Sequence, residues 1–205
     1  MVLVVAIFTM LPFSTEDQEH AALEESITKI ERAVRFSVNE AILRNVIIRL
    51  KFDLSSEPVS YMVEFGKKAD LVLPEAKDTS KLSLRDREAE LKTVKKFDGQ
   101  FTPVDEFSDE AQELPKGVEV YGLGTTYYPN IVTDGEASIY FYPTGEKDSA
   151  IILINNELEL GTLSIAPFED KTNKNFHLFT EAEQLRFDSS LEDKAKEKFD
   201  KWLKE

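Results

Sequence analysis

Apolar positions recur at two different periods along this chain. Leu23, Ile27, Ile30, Val34, Val38 and Ala41 are separated by steps of three and four, which places them on one face of an α-helix. Glu24, Glu25, Glu31, Arg32, Arg35 and Asn39 fall on the opposite face. Upstream, residues 1–13 are almost unbroken apolar, interrupted by Pro12 near the end. Ser14 and Thr15, followed by the acids Glu16 and Asp17, suit a helix start. The pattern predicts one long helix over residues 2 to about 45, kinked near Pro12, with its first third apolar all round and the rest amphipathic.

After residue 45 the period drops to two. Ile48, Leu50 and Phe52 alternate with Arg49 and Lys51, and Val59, Tyr61, Val63 and Phe65 alternate with Ser60, Met62 and Glu64. Ser55, Ser56, Glu57 and Pro58 between them supply a turn, so the two runs predict a β-hairpin. Residues 67–116 are charged and irregular. They are expected to hold a short surface helix ending near Phe97, with Leu84, Leu91 and Val94 on its inner side, followed by loop. Strand patterns return in GVEVYGL, ASIYFYP, AIILIN and LELGTLSIAP, punctuated by Asp134-Gly135, Pro143-Thr144-Gly145 and Asn155-Asn156. Their spacing predicts an antiparallel sheet or meander. From Thr180 the chain reads as helix again, with Leu191, Ala195, Phe199, Trp202 and Leu203 in a stripe that suits packing on its own domain, and with Ser190 and Asp193 spaced like a capping box. The division expected is a helix over 1–45, a β-rich head over 46–179 carrying the insertion 67–116, and a C-terminal helix over 180–205.

Composition narrows the functions. A length of 205 residues fits one globular unit with appendages. A net charge of -14 repels phosphate backbones, so no nucleic-acid partner is expected. Cysteine is absent, which removes disulfides, thiolate nucleophiles and thiolate metal ligands. His20 and His177 are far apart in sequence, and no Gly-x-Ser-x-Gly elbow accompanies them, which argues against a Ser-His-Asp hydrolase. The oxygen-rich stretches DKTNKN, from Asp170 to Asn175, and VDEFSDE lack the spacing of a calcium loop and read as turns. YGLGTTYYP lacks the lysine and the strand-to-helix context of a phosphate loop. No catalytic residue, metal ligand or cofactor is therefore assigned. The apolar run at the start is shorter than the roughly 20 residues of a membrane span and has no basic stretch before it. Two readings remain for it, a buried core segment or the later part of a longer hydrophobic helix.

A helix that is apolar and then amphipathic, running into an antiparallel sheet, resembles a type IV pilin-like subunit, in particular the minor pseudopilins of type II secretion, subfamily H, and their relatives among minor pilins. Three stretches carry the resemblance. VLVVAIFTMLP is similar to the second part of the prepilin membrane segment. AVRFSVNEAILRNVIIRLKF, with Arg35, Glu40, Ala41, Arg44 and Asn45, is similar to the end of that subfamily's helix and its first strand. IYFYPTGEKDSAIILI, with Phe141, Pro143 and Gly145, is similar to a later hairpin of its sheet. The resemblance implies an α+β fold, a long N-terminal helix packed on an antiparallel head. It also implies a non-enzymatic subunit of a periplasmic pseudopilus, near its tip, whose helix first sits in the bacterial inner membrane. Val2, Leu3, Val4, Val5, Ile7, Phe8, Leu11 and Phe13 would be buried in lipid and then in the filament, while the stripe Leu23 to Ala41 packs on the head. Partners would be other pseudopilins or minor pilins in a helical filament, and secretion cargo. By the same comparison Met1 stands just after the glutamate of the prepilin motif, so the apolar segment is expected to lack its beginning. Two alternatives are a minor pilin of a type IV pilus and a secreted carbohydrate-binding β-domain presenting Tyr127, Tyr128 and Tyr140.

Overall fold

A computed structural model describes residues 15–67, 86, 96–105, 107, 111–126 and 130–204. The segment Val2 to Phe13, the inward positions Leu84, Leu91 and Val94, and the pair Tyr127 and Tyr128 lie outside the described residues.

Thr15–Arg44 is a single 30-residue helix, α1, about 45 Å long at 1.5 Å per residue. Glu16 and Asp17 in its first turn and Arg44 in its last complement the helix dipole. The helix stops at Asn45, whose φ of 54° is left-handed, and the Val46 N–H returns to the Ala41 carbonyl at 3.3 Å. Asparagine tolerates this conformation better than most residues, and the returning bond closes the helix end as a Schellman turn.

The chain then forms β1 (Ile48–Asp53), β2 (Ser60–Gly66), β3 (Phe101–Pro103), β4 (Gln112–Glu113), β5 (Glu119–Thr125), β6 (Glu136–Phe141), β7 (Ala150–Asn155), β8 (Glu159–Ile165) and β9 (Asn173–Leu178). Two short connections later come α2 (Glu181–Gln184) and α3 (Phe187–Trp202). All strand pairs are antiparallel. The first sheet has the order β3-β2-β1-β6, with β4 also on β2, and the second has the order β5-β7-β8-β9. The fold is α+β: an N-terminal helix followed by two antiparallel sheets.

α1 lies on both sheets, touching β1, β2 and β6 of the first and β7 and β8 of the second. α3 covers the other face of the second sheet. The unbroken apolar run of β7 follows from this sandwich, because Ile152 and Ile154 face the α1 side while Ile151 and Leu153 face α3. A glycine lets each helix approach its sheet. A Cβ on Gly161 would stand 2.5 Å from Ile27 Cδ1 under α1, and one on Gly124 would stand 2.4 Å from Phe199 Cε2 under α3.

Several sequence expectations are corrected here. The single sheet or meander is two sheets. The stretch read as loop after Phe97 contains β3 and β4, which pair with β2 and bury Phe101, Val104 and Leu114. DKTNKN is not only a turn, since Asn173 to Asn175 begin β9, an edge strand too polar to show an apolar alternation. Ser190 does not start a helix: α3 begins at Phe187, and the Ser190 hydroxyl donates to the Glu183 carbonyl. The capping-box pair is Thr180 and Glu183 at the start of α2, where the Glu183 carboxylate accepts the Thr180 N–H at 2.8 Å. Leu203 leaves the stripe, standing half exposed just past α3.

Candidate functional site

The predicted stripe of α1 is the wall shared by both sheets. Leu23, Ile27, Ile30, Val34 and Ala41 are buried, and Val38 is partly so. Ala33, Ser26 and Ser37 complete the face, although two of them are polar. Their hydroxyls donate to carbonyls one turn back, Ser26 to Ala22 and Ser37 to Ala33, each at 2.7 Å, so both can be buried without an orphaned donor. Glu24, Glu25, Arg32, Arg35 and Asn39 remain exposed on the far side. Glu31, expected there too, turns instead toward β9.

Polar fasteners run along the same helix. His20 Nδ1 meets Glu159 Oε2 at 2.8 Å, and the Asn156 side chain donates to the Glu19 carbonyl at 3.0 Å. Farther along, Lys174 Nζ lies 2.5 Å from Glu31 Oε2 and donates to Thr28 Oγ1, while the Thr172 hydroxyl donates to Glu31 Oε1 at 3.0 Å. The hydrogen bond to the Glu159 carboxylate raises the His20 pKa above its ordinary 6.5, against a smaller opposing effect of burial. Burial works to raise the Glu31 pKa, but its bonds with Lys174 and Thr172 outweigh that and hold it below the usual range.

The residues that carried the resemblance converge at the other end of α1. Glu40 and Arg44 pair one turn apart, with the Arg44 guanidinium 5.5 Å from the Phe65 ring centre. Ala41 and Asn45 form the helix stop. Phe141, fully buried, ends β6, and Gly145 turns the chain from β6 toward β7 with a φ of 85°. A Cβ on Gly145 would stand 3.4 Å from Ile42 Cδ1, so this turn rests against the last turn of the helix. Ile42 and its neighbour Leu43 are exposed at that junction. Arg35 is exposed one and a half turns earlier and joins none of these contacts.

Sequence alternation missed one cluster. Arg49 reads as an outward, solvated position, yet its side chain is only 3% exposed, and it pairs with Glu64 and Asp98 and lies 4.1 Å from the Phe101 ring centre. Burial works against its charge, and bonds to Asp98 and Glu64 more than offset that, raising its pKa. The available signal was the hairpin register, which sets Arg49 directly opposite Glu64. The covering segment is what periodicity could not supply. Phe97, Phe101 and Tyr140 form a ring cluster beside it, so Tyr140 packs within the protein rather than on an open binding face.

His20 and His177 lie on different elements around the second sheet. His177 Nε2 is buried without a hydrogen-bond partner and stands 3.8 Å from Glu183 Oε1. Among the described residues no group of three or more His, Asp or Glu side chains is placed to hold a metal ion. Among the same residues no helix is long and apolar enough to cross a membrane. A cleft of about 820 Å³ opens between the β1–β2 turn and the start of β5, and Leu54, Val59, Val120, Tyr121 and Leu191 are among its walls. Comparison of the chain with protein-family models, curated proteins and solved structures finds no match.

Proposed function

We propose that this protein is a non-enzymatic, pilin-like filament subunit, and within that class a minor pseudopilin of type II secretion. One observation carries the reading. A 30-residue helix lays one face on both antiparallel sheets and leaves Glu24, Glu25, Arg32, Arg35 and Asn39 exposed on the opposite face, and the apolar run Val2 to Phe13 precedes it in the chain. In this reading the apolar segment is held first in the bacterial inner membrane and then among the helices of a periplasmic filament. Burial there is worth about 25 cal/mol per Å² of apolar surface. The head serves as the contact surface for neighbouring subunits and cargo. The convergence of Ala41, Arg44, Asn45, Phe141 and Gly145 at one helix-to-hairpin junction supports it further, because the two motif stretches are about a hundred residues apart in sequence and touch in space.

The chain has no cysteine, so a single introduced thiol reports one position. Glu24→Cys and Arg35→Cys on the exposed face of α1, in the full protein expressed in its native cell and labelled there with a thiol-reactive benzophenone, should cross-link on illumination to pilin-type subunits in the membrane fraction. Mass spectrometry of the adducts identifies them. A protein found wholly in the soluble fraction, with no adduct from either position, would overturn the proposal. Adducts with secretion pseudopilins rather than pilus subunits would support the narrower assignment, and the reverse would make the chain a minor pilin.

A further inference from the structure

The outer face of the second sheet changes character along its strands. Where α3 covers it, Leu153, Leu160 and Phe179 meet Leu191, Ala195 and Phe199. Beyond that point the register sets Thr162 opposite Asn175 and Ser164 opposite Asn173, and the two-residue alternation puts all four on the face that carries Leu160. Two adjoining clefts, of about 120 and 280 Å³, open over this polar quartet and share Ser164, Asn173 and Trp202. Lys198 and Lys201 border the first, and Ser149, Glu169 and Lys171 border the second.

Apart from the Thr162 hydroxyl, which donates to the Asn175 carbonyl at 3.4 Å, these polar groups are largely not consumed by the fold. Among the described residues the hydroxyls of Ser149 and Ser164, the Asn173 amide and the Trp202 indole N–H have no intramolecular hydrogen-bond partner. Asn175 Oδ1 accepts from Lys198 Nζ at 2.8 Å, which leaves its amide NH2 as a donor. The Trp202 indole is stacked on Phe199, with ring centres 5.7 Å apart, which fixes it as a rigid wall where the two clefts meet. Free amides and hydroxyls beside a fixed aromatic wall suit a ligand with many hydroxyls and one apolar C–H face. Lys198 and Lys201 give the first cleft a basic edge, with Lys198 already held on Asn175, while Glu169 stands with Lys171 in the second.

We propose that this groove binds an oligosaccharide, with one pyranose ring against Trp202 and its hydroxyls held by Ser164, Asn173 and Asn175. The site is separate from α1 and from the ring cluster around Tyr140, and it stands independently of the filament reading.

Trp202 is the only tryptophan, so its emission reports this groove alone. The full protein is titrated with chitotriose, cellotriose, maltotriose and trigalacturonate. At least one should shift the emission saturably with a Kd at or below about 1 mM, the weak end of single-site affinity. Asn173→Asp, at an exposed position, should weaken that binding about tenfold while the thermal midpoint stays unchanged. Trp202→Ala, followed by calorimetry, should remove it. Silence from all four sugars in both emission and heat would overturn the proposal, as would binding that survives intact in both variants.

Discussion

The second sheet carries a helix on each face, and the two are attached differently. α1 extends across both sheets, buries Leu23 through Ala41 and is tied down by His20–Glu159 and Glu31–Lys174. α3 rests on one sheet through Leu191, Ala195 and Phe199, with Lys198–Asn175 as a polar tie to the strands. Both sit in a glycine notch, so closeness of approach is not the difference. What differs is how many elements lose their partner when the helix is disturbed. α1 is a wall common to two sheets, whereas α3 is a cover on one.

The sharpest way to break this contrast is a charge in the shared wall. Ile30→Asp places an unpaired carboxylate at a fully buried position and should cost about 5 kcal/mol or more, read as loss of the cooperative thermal transition by circular dichroism. Phe199→Ala should cost about 4 kcal/mol, but its effect should stay local. Hydrogen exchange should show the amides of α3 losing protection while those of α1 keep theirs, and equal loss in both helices would erase the distinction between wall and cover. Arg49→Met leaves Glu64 and Asp98 without their cation and should cost about 3 kcal/mol; urea unfolding measures it and tests whether segment 96–103 behaves as a second cover, on the first sheet.

The smallest effect concerns the two fasteners of α1, which respond to pH with opposite signs. The His20 pKa is raised, so its contribution is complete below the unfolded value and fades as pH rises through the folded one, above 6.5. Asp17 and Glu24 reinforce the same direction. The Glu31 pKa is lowered, so its contribution is present above the unfolded value of 4.5 and fades as pH falls through the folded one. Amide protection factors, which remove the intrinsic pH dependence of exchange, should therefore fall near His20 on the alkaline side and near Glu31 on the acid side. The His20 effect is the weaker, because its side chain is 45% exposed. His20→Phe should abolish the alkaline limb alone.

Legibility in the sequence followed burial geometry. The α1 stripe, the β1–β2 hairpin and β5 to β8 were readable because each buries a face of regular period. Ser26, Ala33 and Ser37 were missed because a small or self-bonded polar residue packs as well as an aliphatic one where a helix lies close to a sheet. β9 was hidden because an edge strand with half its groups solvated needs no apolar repeat, and the polar quartet over which Trp202 stands was hidden with it. Arg49 failed in the opposite way: its polarity suggested solvent, but a segment from forty-nine residues downstream in the chain, at Asp98, closes over it. Thr180–Glu183 and Ser190–Asp193 have the same spacing, and spacing alone does not say which serine or threonine precedes the first turn.

The span of α1 across both sheets also sets how the molecule would bear a load. Tension entering along the helix from its N-terminal end would be taken up in shear by the whole row from Leu23 to Ala41, rather than peeling one strand from its neighbour. His20–Glu159 would be the first tie to feel the strain and the Asn45 turn the last. Pulled from that end, the head should resist as one block and yield in one step.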